Sequence, residues 1–243
     1  MTEQPGAADR AGGTKRAGAA DRAERVGEAV GDRVGVEVWW AEVGLARQEF
    51  VADLNDVERG RLDAYLRDVD KARFLLGVTI VRRVLAARMS LPAAKVALDR
   101  TCPDCGKPHG KVRSTGVELS VTHSGDLVGV AFADRPVGLD VERVDPSLDV
   151  DALARVALSE AETQELRGYD GLAKARAFTE YWTRKEAVLK ATGEGLRGDL
   201  RAGVPAGIHV VELEVGADHR AALAVISPTP PVITQQTAAQ LLR

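Results

Sequence analysis

Cysteine is nearly absent from this sequence: Cys102 and Cys105 are the only two among 243 residues, which excludes a disulfide framework. Aromatic residues make up 4% of the chain, with three tryptophans, so there is no stock of stacking platforms for single-stranded nucleic acid. Neither sign of charge dominates, since 33 Lys and Arg stand against 36 Asp and Glu for a net charge of -3. A chain so balanced has no global field to gather nucleic acid or an anionic membrane, and any anion site must be local. Long hydrophobic runs are missing too. The stretch from Leu127 to Ala133 has the length of a buried strand, far below the roughly 18 to 20 apolar residues of a membrane span. The opening residues, MTEQPGAADRAGGTKRAG, lack the apolar segment of a secretory signal, so the expectation is a soluble cytoplasmic protein.

What is present is an apolar fraction of 45%, enough for the core of one large domain or two small ones. Residues 1–33 do not share in it. Beyond Met1 their only large apolar side chains are Val26 and Val30, and the word Ala-Ala-Asp-Arg-Ala occurs at Ala7 and again at Ala19. Such a segment cannot offset the entropy of ordering it, and a disordered tail is expected there. From Gly35 onward Val36, Val38 and Trp40 alternate with Glu37, Trp39 and Ala41 as in a half-buried strand. Asn55 followed three residues later by Glu58 reads as a capping box opening a helix. A longer helix is expected from about Lys71 to Met89, and then two strands, Val117 to Thr122 and Leu127 to Ala133, joined by His123-Ser124-Gly125-Asp126.

Roughly 104 positions further on the same grammar returns. Gly35-Val36-Glu37-Val38 becomes Gly138-Leu139-Asp140-Val141, and Leu54-Asn55-Asp56-Val57-Glu58 becomes Leu158-Ser159-Glu160-Ala161-Glu162. Phe74, Val84, Leu85 and Ala87 become Phe178, Val188, Leu189 and Ala191. His123 and the strand after it resemble His219 and Ala221 to Ile226, at a shorter offset. The shared order points to two similar α+β halves, 34–137 and 138–226, with a C-terminal extension at 227–243. Two such halves would pack about a pseudo-twofold axis and leave a cleft between them.

A duplication provides an internal control, because positions that differ between the copies need not differ for folding. Opposite Trp39 stands Glu142, which joins Asp140 in Gly-Leu-Asp-Val-Glu. Alternation puts the two carboxylates on one strand face, ~7 Å apart, with Leu139 and Val141 facing the other way. Such a pair is either two acids on a solvated face or one side of a cation site. Opposite Arg82 stands Glu186, one turn before Lys190 on a helix whose apolar face holds Phe178, Trp182 and Leu189. In the company of Asp140 and Glu142, Glu186 completes a hard oxygen site suited to Mg²⁺, with Lys190 as a point charge for phosphates.

Gly138-Leu-Asp140-Val-Glu142 followed by Trp182-Thr-Arg-Lys185-Glu186-Ala-Val-Leu-Lys190 resembles the paired signature of the 4'-phosphopantetheinyl transferases, in particular their larger, monomeric surfactin-type class. The resemblance covers residues 34–226. It extends to Arg73-Phe74-Leu75-Leu76-Gly77 with Arg82, and to Thr122-His123-Ser124-Gly125, where the family usually has Ser in place of Thr122. Gly110-Lys111-Val112 stands where the family usually has Gly-Lys-Pro. The resemblance implies the α+β transferase fold of that family, cytoplasmic and monomeric. Its implied activity is Mg²⁺-dependent transfer of phosphopantetheine from coenzyme A to a serine of an apo acyl or peptidyl carrier protein, with release of adenosine 3',5'-bisphosphate. It implies Asp140, Glu142 and Glu186 as metal ligands and Glu186 and Lys190 as catalytic residues, with Lys190, His123, Thr122, Lys111 and Arg73 toward coenzyme A. Glu162 has two readings: it resembles a further carboxylate of the family's site, and as the counterpart of Glu58 it is explained by a helix cap alone.

A competing constellation lies in the irregular stretch between the halves' motifs. Cys102, Cys105 and His109 could supply three zinc ligands, flanked by Arg100, Lys107, Lys111 and Arg113 as in a nucleic-acid-binding knuckle. Zinc needs a fourth ligand, and the other histidines, His123, His209 and His219, are distant in sequence. The plain alternative is a tight Pro- and Gly-containing turn.

Overall fold

Asn55 and Ser159 open helices by the same device. The Asn55 side chain accepts from the Glu58 N–H at 2.9 Å while Glu58 Oε2 accepts from the Asn55 N–H at 3.1 Å. Ser159 and Glu162 repeat the exchange at 3.3 and 2.8 Å, so each helix start satisfies two otherwise orphaned donors. The computed structural model describes residues 34–102, 105–108, 110–195 and 198–243. The expected disordered tail, residues 1–33, and His109 of the zinc reading lie outside them.

In chain order the elements are β1 (Gly35–Glu42), α1 (Asp56–Ala64), α2 (Asp68–Met89), β2 (Glu118–Ser124), β3 (Leu127–Ala133), β4 (Val137–Arg143), α3 (Val150–Ala157), α4 (Glu160–Leu166), α5 (Gly171–Thr192), β5 (Ile208–Leu213), β6 (His219–Ile226) and β7 (Val232–Thr237). The α+β class is as expected. The two long helices have 22 residues each. The helix α3, capped by the Asp149 side chain on the Ala152 N–H, was not foreseen from the sequence. A further difference concerns His123 and Ser124, which belong to β2; the turn proper is Gly125-Asp126, with Gly125 at φ 58°. A left-handed residue in a two-residue hairpin turn favours glycine, which accounts for that position.

The first sheet has the order β2-β3-β1-β7 and the second β4-β6-β5. Within them β1, β2 and β3 pair as β4, β5 and β6 do: the last strand of each set lies in the middle, antiparallel to the other two. The addition is β7, parallel to β1, so the C-terminal extension closes the first sheet's edge. Ala238 and Leu242, which follow β7, enter the core beneath α2.

Alternation along the strands divides the apolar side chains between two surfaces. Val36, Val38, Ala131, Leu139, Val141 and Leu223 fill the space between the sheets. On the outer faces α2 covers the first sheet through Leu76, Ile80 and Leu85, and α5 covers the second through Ala187, Val188 and Ala191 on Ala222 and Ala224. Small residues at that second contact bring helix and sheet close. Residues 34–243 form one compact unit. Among the described residues no helix is long and apolar enough to cross a membrane.

Candidate functional site

Gly138 decides where α5 lies. A Cβ at this position would stand 2.0 Å from the Ala187 carbonyl oxygen and 2.5 Å from the Ala191 amide nitrogen, so only glycine lets the helix backbone rest on β4. Glu186 and Lys190 occupy the turn that this crossing presses down. The carboxylates of Asp140 and Glu142 are the next two side chains on the same face of β4.

The edges of the two sheets meet along β2 and β4, and their junction is made by side-chain hydroxyls rather than by a backbone ladder. Ser120 Oγ accepts from the Leu139 N–H at 3.0 Å, Thr122 Oγ1 from the Val141 N–H at 3.1 Å, and Ser124 Oγ from the Arg143 N–H at 3.0 Å. Each hydroxyl keeps its own proton to give away. Thr122 donates to Asp140 Oδ1 at 3.3 Å and Ser124 donates to Glu142 Oε2 at 2.6 Å. The strands run parallel here, so the rungs fall at every second residue.

Lys190 Nζ spends its three protons on Asp140 Oδ1 at 2.6 Å, the Leu139 carbonyl at 3.1 Å and Thr122 at 3.3 Å. Asp140 is 3% exposed, and its other oxygen, Oδ2, is buried with no hydrogen-bond partner. Burial raises the Asp140 pKa, against the stabilising effect of Lys190 and Thr122. Burial also raises Glu142, opposed by the Ser124 hydrogen bond and assisted by the negative charges of Asp140 and Glu186. Glu186 is raised first by burial and then by Asp140, with Lys190 opposing. Glu142 and Glu186, raised in part by neighbouring negative charge, and Asp140, with its orphaned buried oxygen, are the hard oxygen donors that a divalent cation takes. Among the described residues no group of three or more His, Cys, Asp or Glu side chains is drawn together closely enough to hold a metal ion by itself. At Asp140 one oxygen faces Lys190 and the other is buried and unpartnered.

The residues expected to meet coenzyme A are more tied down than the sequence suggested. Arg73 binds the Gly125 carbonyl through Nε at 2.9 Å and through Nη2, and pairs with Asp70 at 2.9 Å. Lys111, from the first half, donates to the Val137 carbonyl at 3.0 Å and to the carbonyl of Lys190 itself at 2.9 Å, and burial lowers its pKa. It thus straps the end of α5 to the start of β4. His123 is exposed and on the opposite side of β2 from Thr122. Partial burial, then Arg73 and Lys190, lower its pKa and favour the neutral imidazole.

Glu162 does not join the carboxylate group electrostatically. It caps α4 and pairs with Lys185 at 2.9 Å, and these partners hold its pKa down against the effect of burial. Ser124, His219 and Gly138 are the residues that sequence reasoning did not assign to the site. His219, 7% exposed, places Nε2 3.2 Å from the Ser124 carbonyl and 3.4 Å from Asp126 Oδ1, so β6 of the second half braces the hairpin turn of the first. The signal that could have found it was its place opposite His123 in the repeat. In the irregular stretch, Cys102 is buried and Cys105 exposed on a tight turn closed by the Gly106 N–H on the Cys102 carbonyl at 2.9 Å.

Residues 136–236, which hold β4, α5, β6 and all three carboxylates, match the sequence pattern of the 4'-phosphopantetheinyl transferase superfamily. Over that stretch the chain is similar to this superfamily, and its relatives carry the same name. It is similar to the 4'-phosphopantetheinyl transferase HetI of Nostoc sp. strain PCC 7120, with 30% identity over 152 residues, 61% of this chain and 63% of the relative. It is 33% identical over 159 residues to the putative 4'-phosphopantetheinyl transferase slr0495 of Synechocystis sp. strain PCC 6803, 64% of this chain and 63% of that one. The AcpT transferase of Salmonella typhi is 28% identical over 177 residues, 72% of this chain and 85% of its own length. The match to the two cyanobacterial relatives therefore spans less than two thirds of their length.

Proposed function

We propose that this protein transfers the 4'-phosphopantetheine group of coenzyme A to a serine of an apo acyl or peptidyl carrier protein, releasing adenosine 3',5'-bisphosphate. The observation that carries the reading is the close crossing at Gly138, which sets Glu186 and Lys190 of α5 over Asp140 and Glu142 of β4. Asp140, Glu142 and Glu186 would hold Mg²⁺, and the orphaned, buried Oδ2 of Asp140 supports a cation there. A divalent cation bound by these acids supplies charge neutralisation for the pyrophosphate and for the leaving oxygen.

The chain's own residues divide the remaining work. Glu186, half-buried and without a hydrogen-bond donor among the described residues, is the base that accepts the carrier serine's proton. Lys190 is anchored on Asp140, Thr122 and the Leu139 carbonyl, so its ammonium is pre-positioned, and it reaches a phosphate oxygen by exchanging one of these three partners for it. His123, Arg73, Thr122 and Lys111 orient coenzyme A, the last two also through the seam they hold together. Glu162 acts on the site only by fixing Lys185 on α5. The halves 34–137 and 138–226 are read as a duplication with the cleft between them. The enzyme is of the surfactin-type class, monomeric and cytoplasmic, and takes neither nucleic acid nor membrane as partner.

Incubating the protein with coenzyme A, Mg²⁺ and a panel of apo carrier proteins tests this. Mass spectrometry should find phosphopantetheine added to the active serine of at least one carrier. No addition to any carrier at saturating coenzyme A and Mg²⁺ would sink the reading.

A further inference from the structure

The hydroxyl seam between β2 and β4 does more than join two sheets. Its three rungs, Ser120, Thr122 and Ser124, all accept from β4 backbone N–H groups at 3.0 to 3.1 Å, yet only two of them meet a side chain of β4: Thr122 meets Asp140 and Ser124 meets Glu142, while Gly138 offers none. Where glycine stands, the rung is only a junction. Where a carboxylate stands, the same hydroxyl donates to it.

We propose that Ser124 is a positioning residue for the cation site, fixing the Glu142 carboxylate through a hydroxyl whose own orientation is forced by the Arg143 N–H. A serine hydroxyl has one proton, and its oxygen is occupied as acceptor from Arg143, so the proton goes to Glu142 Oε2 at 2.6 Å. Glu142 then has one oxygen engaged and one left for a cation, as Asp140 has with Oδ1 held by Thr122 and Lys190 and Oδ2 unpartnered. Ser124 cannot drift. Its carbonyl faces His219 Nε2 at 3.2 Å, and the next carbonyl, Gly125, is held by Arg73. Outer partners of this kind set the orientation of a metal-binding carboxylate, and their loss costs about 10- to 100-fold in metal affinity.

This inference rests on the cation reading of Asp140, Glu142 and Glu186, and the test separates the two. Mn²⁺ titrated into the purified full chain, with free Mn²⁺ followed by electron paramagnetic resonance, reads affinity without any turnover. Ser124→Ala should weaken Mn²⁺ binding at least ~10-fold, and Ser124→Thr, which keeps the hydroxyl on a strand, should restore it. Ser120→Ala removes a rung of the same seam that touches no carboxylate; it should lower thermal stability about as much as Ser124→Ala and leave Mn²⁺ affinity within ~2-fold. Ser124→Ala with wild-type affinity, or Ser120→Ala with the same loss, would overturn the positioning role. Wild-type protein that binds no Mn²⁺ would overturn the cation site and this proposal with it. Tight Mn²⁺ binding by a protein that modifies no carrier would instead leave the proposal supported and the transferase reading refuted.

Discussion

Arg82 Nε donates to Glu58 Oε2 across 2.7 Å, with both side chains buried. Glu58 is the capping-box acid of the first half, and its counterpart Glu162 pairs at 2.9 Å with Lys185 rather than with residue 186. Moving the cation by one residue turns it about 100° around the helix. Position 186 is thereby released from holding a cap and looks onto β4, where an acid can serve a cation. The buried Arg82 also donates to the Ala93 and Val96 carbonyls, so the two positions differ in environment as well as in charge.

Glu186→Gln keeps size and helix propensity while removing a charge that burial and Asp140 already disfavour. Thermal stability should stay within the range of surface changes or rise slightly, while turnover falls at least ~100-fold. Denaturation curves and carrier-transfer rates on the same preparation check both. A folded variant with near wild-type turnover would remove Glu186 from the chemistry.

Gly138→Ala asks for a methyl group 2.0 Å from a backbone oxygen, a contact that no rotamer change can relieve. The helix α5 has to lift from β4, costing about 1–3 kcal/mol or more, and Lys190 moves away from Asp140 with it. Urea midpoint and transfer rate should fall together. A variant of unchanged stability would show that the crossing is looser than described.

Lys111→Met removes both carbonyl contacts between Val137, Lys190 and the first half while keeping much of the stem. If these contacts set Lys190, the turnover number should fall more than the affinity for coenzyme A. The opposite split, a raised KM with unchanged turnover, would make Lys111 a coenzyme A ligand only.

The pKa values of Asp140, Glu142 and Glu186 are all raised, so the folded state binds more protons than the unfolded one as pH climbs above ~4. Stability from these groups is therefore greatest at low pH and is lost as pH rises through their raised folded values. A bound cation opposes that loss. Mg²⁺ should raise the melting temperature more at about pH 8 than at about pH 5. Scanning calorimetry at the two values decides it, and an equal or absent shift would count against the cation site.

Much of this was legible because it is local. The capping boxes at Asn55 and Ser159 depend on residues three apart, and the alternation of Leu139 and Val141 with Asp140 and Glu142 is a property of one strand. The spacing of Glu186 and Lys190 is a property of one helix. What joins the halves was not legible. Ser120, Thr122 and Ser124 alternate with Leu119, Val121 and His123, a pattern shared by any half-wet strand, and nothing in it names β4 as the strand whose N–H groups they accept from. The acceptors of Lys111 are carbonyls 26 and 79 residues away, and a carbonyl has no sequence signature. The strand β7 follows two prolines and holds Thr234, Gln235 and Gln236, so it lacked the apolar alternation of a strand.

That last strand ties the order of synthesis to the order of folding. Among the described residues the β1 edge that β3 leaves unpaired is covered by residues 232–237, and Ala238 and Leu242 join the core under α2. Strands β1 to β3 are therefore translated before the strand that pairs the β1 edge, with β4 to β6 made in between. Cutting the gene between residues 137 and 138 would therefore part β1 from the strand that pairs its edge and α2 from two of the residues of its core.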